Sequence, residues 1–167
     1  MAESIAQDRI QPSLLDRLTD DDPGNPKETR DQRFFSANRL RQAVLRDLSW
    51  LLNASSFDAT QDIRAYPHVA SSVLNYGVPP LAGGLREHIR DSEFRANIAT
   101  ALARFEPRLL PHSIEITLAE RQAVLDTMQF TVEADLWAEP APQRMLMRTE
   151  LDHDLNVIRM VEQGGGS

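Results

Sequence analysis

Pro107 divides this chain into two periodicities, and that division fixes the fold class. Before it, apolar residues recur at spacings of three and four: Leu40, Val44, Leu48, Leu51 and Leu52, then Phe94, Ile98, Leu102 and Phe105. Such stripes belong to amphipathic helices. After it the period falls to two. Ile114, Ile116 and Leu118 alternate with Ser113, Glu115 and Thr117, while Met128, Phe130, Val132, Ala134 and Leu136 alternate with Gln129, Thr131, Glu133 and Asp135. Alternation marks half-buried antiparallel strands. Met145, Met147, Thr149 and Leu151 predict a third strand, Asp152 to Asn156 a turn, and Val157 to Val161 a last strand. Helices followed by strands predict an α+β domain. Its N-terminal amphipathic helices pack on one face of a C-terminal antiparallel sheet, behind an extended N-terminal arm.

Punctuation residues set the boundaries. The first long helix is predicted over Gln32 to Leu52, ended by Asn53, Ser55 and Ser56. Pro67 suits a first helical position, and Gly77 sits where a left-handed cap ends a helix carrying Val69 and Val73. Gly83 and Gly84 open a further turn bearing Leu85 and Ile89, after which Asp91 or Ser92 caps the second long helix. Pro107 stops that helix because the residue before a proline is pushed out of the α region.

Residues 1–32 read differently, as an arm and a polar linker. Asp20-Asp21-Asp22-Pro23-Gly24-Asn25-Pro26 is too polar to bury and cannot hold a helix. Ahead of it Ser13 can cap a short turn whose Leu14, Leu15 and Leu18 share a face. That patch either folds back on its own domain or docks on a partner. The globular domain spans 33–162, and 163–167 is a flexible glycine-rich tail of native or engineered origin.

The chain has 25 acidic and 18 basic residues and a net charge of −7, which argues against a nucleic-acid binder. Lys27 is its only lysine, the other basic residues being arginines that suit protein interfaces. With no cysteine, disulfides and thiolate sites are excluded. No apolar run is long enough to span a bilayer and the first residues show no secretory signal, so the expectation is a cytoplasmic protein with no direct membrane insertion.

Catalytic and metal constellations do not emerge. A glycosidase needs two carboxylates at a fixed separation, one with a raised pKa. Glu106 is one candidate, but Arg108 beside it favours the ionised form, and Glu115, Glu133 and Asp135 fall on the polar strand face. His68, His88, His112 and His153 form no ligand motif. Asp152, Asp154 and Asn156 open like a calcium loop, yet Val157 and Gln163 stand where glycine and glutamate are required. No catalytic residue, metal or cofactor is assigned. Met145 and Met147 read as core or interface fillers, and Trp50 and Trp137 as core. At Glu106-Pro107-Arg108 the proline stiffens a helix-to-strand corner whose neighbours project opposite charges, by themselves a surface ion pair worth about 0–1 kcal/mol. The final hairpin places a strand at a sheet edge, where unpaired backbone groups template another strand, although most such edges are blunted or covered.

Three stretches together resemble the lysozyme-like wedge family of contractile phage tails, which includes the TssE baseplate subunits of type VI secretion. They are LRQAVLRDLSWLLN from Leu40 to Asn53, YPHVASSVLNYGVPPLAGG from Tyr66 to Gly84, and Phe105 to Leu109. Leu136-Trp137 through Pro140, Arg148 through Asp152 and the leucine arm extend the likeness over nearly the whole chain. The resemblance implies a non-enzymatic wedge subunit in a membrane-docked baseplate, with TssF, TssG and TssK as baseplate partners. It makes Glu106, Pro107 and Arg108 the contact for the TssF/TssG bundle. It also implies a strand platform that nucleates sheath polymerisation of TssB and TssC by strand exchange. Leu151, Asp152, Val157, Ile158, Arg159, Met160 and Val161 are the expected docking edge. A peptidoglycan hydrolase and a regulatory protein-binding module of the same fold are the alternatives.

Overall fold

The computed structural model describes residues 13–19, 24, 37–79, 91–119, 129–137, 141–152 and 157–163. The turn at Gly83 and Gly84, Met128, His88, His153, residues 153–156, the tail from 164 and most of the linker fall outside the described residues. Among the described residues four helices precede four strands in chain order: α1 (Leu14–Leu18), α2 (Ala37–Asn53), α3 (Pro67–Ala70), α4 (Asp91–Phe105), β1 (Glu115–Leu118), β2 (Phe130–Leu136), β3 (Gln143–Asp152) and β4 (Val157–Glu162). The strands form one antiparallel sheet in the order β1-β2-β3-β4. The α+β architecture expected from the two periodicities is the one observed.

The alternation decides which sheet face is buried. Phe130, Val132, Ala134 and Leu136 of β2, Met145 and Met147 of β3, and Ile158 and Met160 of β4 all enter the core. The helices cover that face with Leu40, Val44, Leu48, Leu51 and Leu52 of α2 and Phe94, Ile98, Ala101 and Leu102 of α4. Phe94 meets Phe130 edge-on at 5.3 Å, a favoured aromatic arrangement. One side chain in this layer is polar: Thr149 is buried, accepts the Phe130 N–H and donates to the Phe130 carbonyl.

The predicted Val69–Val73 helix is instead two short pieces, α3 and a 3-10 turn at Val73–Asn75, with Val73 itself exposed. Gly77 does have a positive φ of 125°, but its role is close approach and not capping. The Val78 N–H donates to the Ala54 carbonyl and the Ser56 N–H to the Val78 carbonyl, stapling this loop to the end of α2. A Cβ on Gly77 would lie 2.4 Å from the Ala54 oxygen.

Trp50 and Trp137 depart from expectation. They are 51% and 55% exposed. Trp50 falls off the α2 stripe and stacks under the Arg46 guanidinium at 5.1 Å. Trp137 lies one residue past the end of β2, where the sheet no longer covers it.

Two substitutions test this packing by urea unfolding. Leu48→Ala should lower stability by about 2–5 kcal/mol, the range for a fully buried leucine. Gly77→Ala should destabilise by roughly 1–3 kcal/mol, since both its φ and its carbonyl contact resist a Cβ.

Candidate functional site

Helix α4 ends at Phe105, and the Glu106 N–H still donates to the Leu102 carbonyl before Pro107 turns the chain. The chain then runs alongside the end of β2. The Trp137 N–H donates to the Arg108 carbonyl, the Leu110 N–H to the Asp135 carbonyl, and Leu109 bridges Leu136. Both sides of the corner are therefore pinned, to a helix and to a strand.

Glu106 is not on the surface. It is 2% exposed, and its carboxylate accepts from the Arg108 backbone N–H at 3.1 Å, from Nε at 2.6 Å and from Nη2. Arg108 Nη2 also donates to Asp47 of α2 at 2.6 Å. The expected pair of projecting charges is thus a buried carboxylate held by a half-buried guanidinium fork that ties the corner to α2. Proline makes this possible by turning the backbone sharply enough for residues two apart to face each other.

The network continues outward. Asp47 accepts from Arg46 Nε at 2.9 Å, Arg46 Nη1 donates to Asp16 of α1 at 2.7 Å, and Asp16 accepts from the Ser13 hydroxyl at 2.6 Å. Charges alternate along Asp16, Arg46, Asp47, Arg108 and Glu106, which ties together the arm, α2 and the corner. Burial disfavours the Arg108 charge, yet the bonds and charges of Glu106 and then Asp47 outweigh it and raise its pKa. Burial likewise opposes the Asp16 carboxylate, but Ser13, Arg46 and the more distant Arg108 bring its pKa below the ordinary 3.8. Burial, with Asp47 and Glu106 nearby, pushes the Tyr76 phenol up. Arg108 Nη1 is buried with no hydrogen-bond partner among the described residues.

The arm is held the opposite way round from an ordinary amphipathic helix. Asp16 and Ser13 face the domain, whereas Leu14 and Leu18 are 70% and 75% exposed and Leu15 is also exposed. This short helix buries no residue.

The terminal hairpin contains a feature that sequence reasoning missed. The Gln163 N–H donates to the Leu146 carbonyl, so odd-numbered residues of β4 bond to β3 and even-numbered ones point outward. The outward groups of Ile158 are both occupied: its N–H donates to Asn53 Oδ1 at 2.8 Å and its carbonyl accepts from Asn53 Nδ2 at 2.6 Å. The Met160 N–H donates to Ser49 Oγ at 3.3 Å. Arg41 reaches Glu162 at 2.6 Å and Gln143 at 3.3 Å. Three residues of α2 spaced four apart along one face, Arg41, Ser49 and Asn53 with Leu45 between, thus line the outside of β4. Within the expected docking edge, both outward groups of Ile158 and the Met160 N–H are thus already bonded to α2.

The other candidates stay apart from this constellation. His68 and His112 are exposed, and no cluster of potential metal ligands occurs among the described residues. Glu133 and Asp135 are bridged by Arg144 on the outer face of the sheet. A cleft of about 690 Å³ includes Asp58 and Asp62 in its lining. Both are engaged, Asp62 by Arg64 at 2.7 and 2.8 Å and Asp58 by Ser56 and Asn75. No described helix is long and apolar enough to cross a membrane.

Among known families, the model of the baseplate wedge protein gp25 matches residues 38–141, from the start of α2 through the corner and β2. No curated protein and no solved structure matches.

Removing Arg108 strands a buried carboxylate. Arg108→Ala should therefore destabilise by about 3–5 kcal/mol in chemical denaturation, and Glu106→Gln by less. Asp16 titrates lower when folded than unfolded, so its contribution is present above the ordinary carboxylate pKa and is lost as pH falls through the folded value. The stability gap between the wild type and Asp16→Asn should be open at neutral pH and close as the pH falls below the ordinary carboxylate value.

Proposed function

The chain belongs to the baseplate wedge gp25 family and so has a structural baseplate role, and from that premise we propose that it is the wedge subunit of a type VI secretion baseplate. In this reading it docks on the TssF/TssG bundle, neighbours TssK, and starts polymerisation of the TssB/TssC sheath by strand addition to its sheet. It works in the cytoplasm, within a baseplate docked at the membrane.

The observation that carries the wedge contact is the rigidity of the corner at Glu106, Pro107 and Arg108. Backbone bonds to α4 and β2 fix its position, and Glu106 and Asp47 fix the Arg108 fork. A partner meeting this corner therefore meets a surface that loses little conformational entropy on binding. The exposed Trp137 ring one hydrogen bond away adds the kind of aromatic anchor that protein interfaces favour.

The exposed leucines of α1 support a second contact. A patch of Leu14, Leu15 and Leu18 is apolar surface that a partner would cover, and the Asp16–Arg46 pair holds it against the same side of α2 that carries Asp47. The arm and the corner then present themselves to the bundle together.

Co-purification of the full chain with TssF and TssG tests this reading. Arg108→Ala should lose the bundle, while Leu48→Ala, matched for lost stability, should retain it at a temperature where both are folded. Equal loss in the two variants would make Arg108 a stability residue and remove the corner from the interface. Sheaths of normal number in a strain lacking the chain would overturn the baseplate role.

A further inference from the structure

The two edges of the sheet are not equivalent. On β4, α2 supplies side chains in place of a fifth strand. Asn53 offers an amide carbonyl and an amide N–H to one residue, the pair a neighbouring peptide unit would offer, and Ser49 accepts from the residue two further on. The match is metric. Four helix residues rise about 6.0 Å, and two strand residues advance about 6.8 Å, so side chains four apart on α2 reach outward groups two apart on β4.

On β1 the situation is reversed. The Ala119 N–H donates to the Gln129 carbonyl, so odd-numbered residues bond to β2 and the backbone groups of Ile116 and Leu118 point outward. Among the described residues nothing bonds to them. Their side chains are only partly buried, packed against the rim of the core. On the outer face Glu115 is exposed and stands opposite Glu133, whose carboxylate already serves Arg144. Like charges facing each other across strands are unfavourable, and Glu115 has no cation of its own among the described residues.

We propose that the outer edge of β1, at Ile116 and Leu118, is where an incoming strand adds, while Ser49 and Asn53 keep β4 closed to it. The inference rests on the sheath reading above, and its occupant is an extended segment of a sheath subunit. The chemistry of that segment follows from the edge. Residues beside Ile116 and Leu118 are apolar and complete the cover of the core rim, and the residue beside Glu115 is basic and relieves the pair of glutamates. Four backbone groups, two from each of Ile116 and Leu118, have no partner among the described residues and would receive it.

Amide exchange on the free chain tests the asymmetry without any partner. Ile158 and Met160 should exchange slowly, and Ile116 and Leu118 fast. In the assembly test, the chain bound to TssF and TssG is incubated with purified TssB/TssC and sheath recruitment is measured. Ile116→Pro should keep the fold, because that N–H takes no part in the ladder, and should reduce recruitment at least about tenfold, because proline removes a donor and obstructs a neighbouring strand. Glu115→Arg, at an exposed position, should weaken recruitment in the same direction and covers the case of a misfolded proline variant. Asn53→Ala should leave recruitment unchanged. Normal recruitment by Ile116→Pro and Glu115→Arg, or a gain on opening β4 with Ser49→Ala and Asn53→Ala, would overturn the β1 assignment while leaving the sheath reading intact. Failure of the wild-type chain to recruit sheath at all would overturn both.

Discussion

A buried carboxylate sets the terms for this molecule. Glu106 lies at 2% exposure, where an unpaired negative charge would be several kcal/mol unfavourable. Arg108 must therefore face it, and only a sharp turn at Pro107 lets two residues so close in sequence do so. Arg108 in turn needs Asp47, which fixes the end of α4 against α2. Arg46 and Asp16 extend the same logic to the arm. The relative placement of three segments is thus decided by a single alternating line of charges. Specificity of geometry, more than net stability, is what such an arrangement supplies, since a well-packed apolar substitute is often as stable.

Helix α2 has two employments on adjacent faces. Its apolar stripe covers the sheet, and the Arg41, Ser49 and Asn53 row closes the sheet's margin. Stacking both duties on one helix leaves little freedom at these positions, and it accounts for an asparagine as the last residue of α2: a residue that can both donate and accept is the one able to imitate a peptide unit.

Periodicity made the architecture legible. The helix stripes and strand alternations find most of the core but not Ala43, Ala101, Ile63, Val78 or Leu109, because burial on one face imposes a repeat that survives without any knowledge of neighbours. What eluded that reading depends on contacts between distant segments. Whether Glu106 projects or is buried is decided by Asp47, which lies far away in sequence. Residue type alone places Trp50 and Trp137 in the core, yet Trp50 lies off the stripe and Trp137 beyond the strand. Gly77 was correctly marked as unusual, but its reason, a carbonyl of Ala54 in the way, is invisible to a cap rule. The closure of β4 was the furthest from view, since Ser49 and Asn53 read as ordinary polar positions of a helix. The family resemblance found the corner and the sheet, and it could not say that one is buried or that the other has a closed side.

The closed margin of β4 also has a consequence for direction. A strand that joins a sheet normally creates a new edge equal to the one it filled, so rows of strands extend both ways. Here α2 occupies part of an edge without creating another, because the side chains of Asn53 and Ser49 bond Ile158 and the Met160 N–H and offer no further backbone pattern. A sheet with one such terminus can begin a row but cannot be inserted within one. In the proposed reading the chain is an initiator and not a link, and a sheath growing from it takes its direction from two side chains of α2.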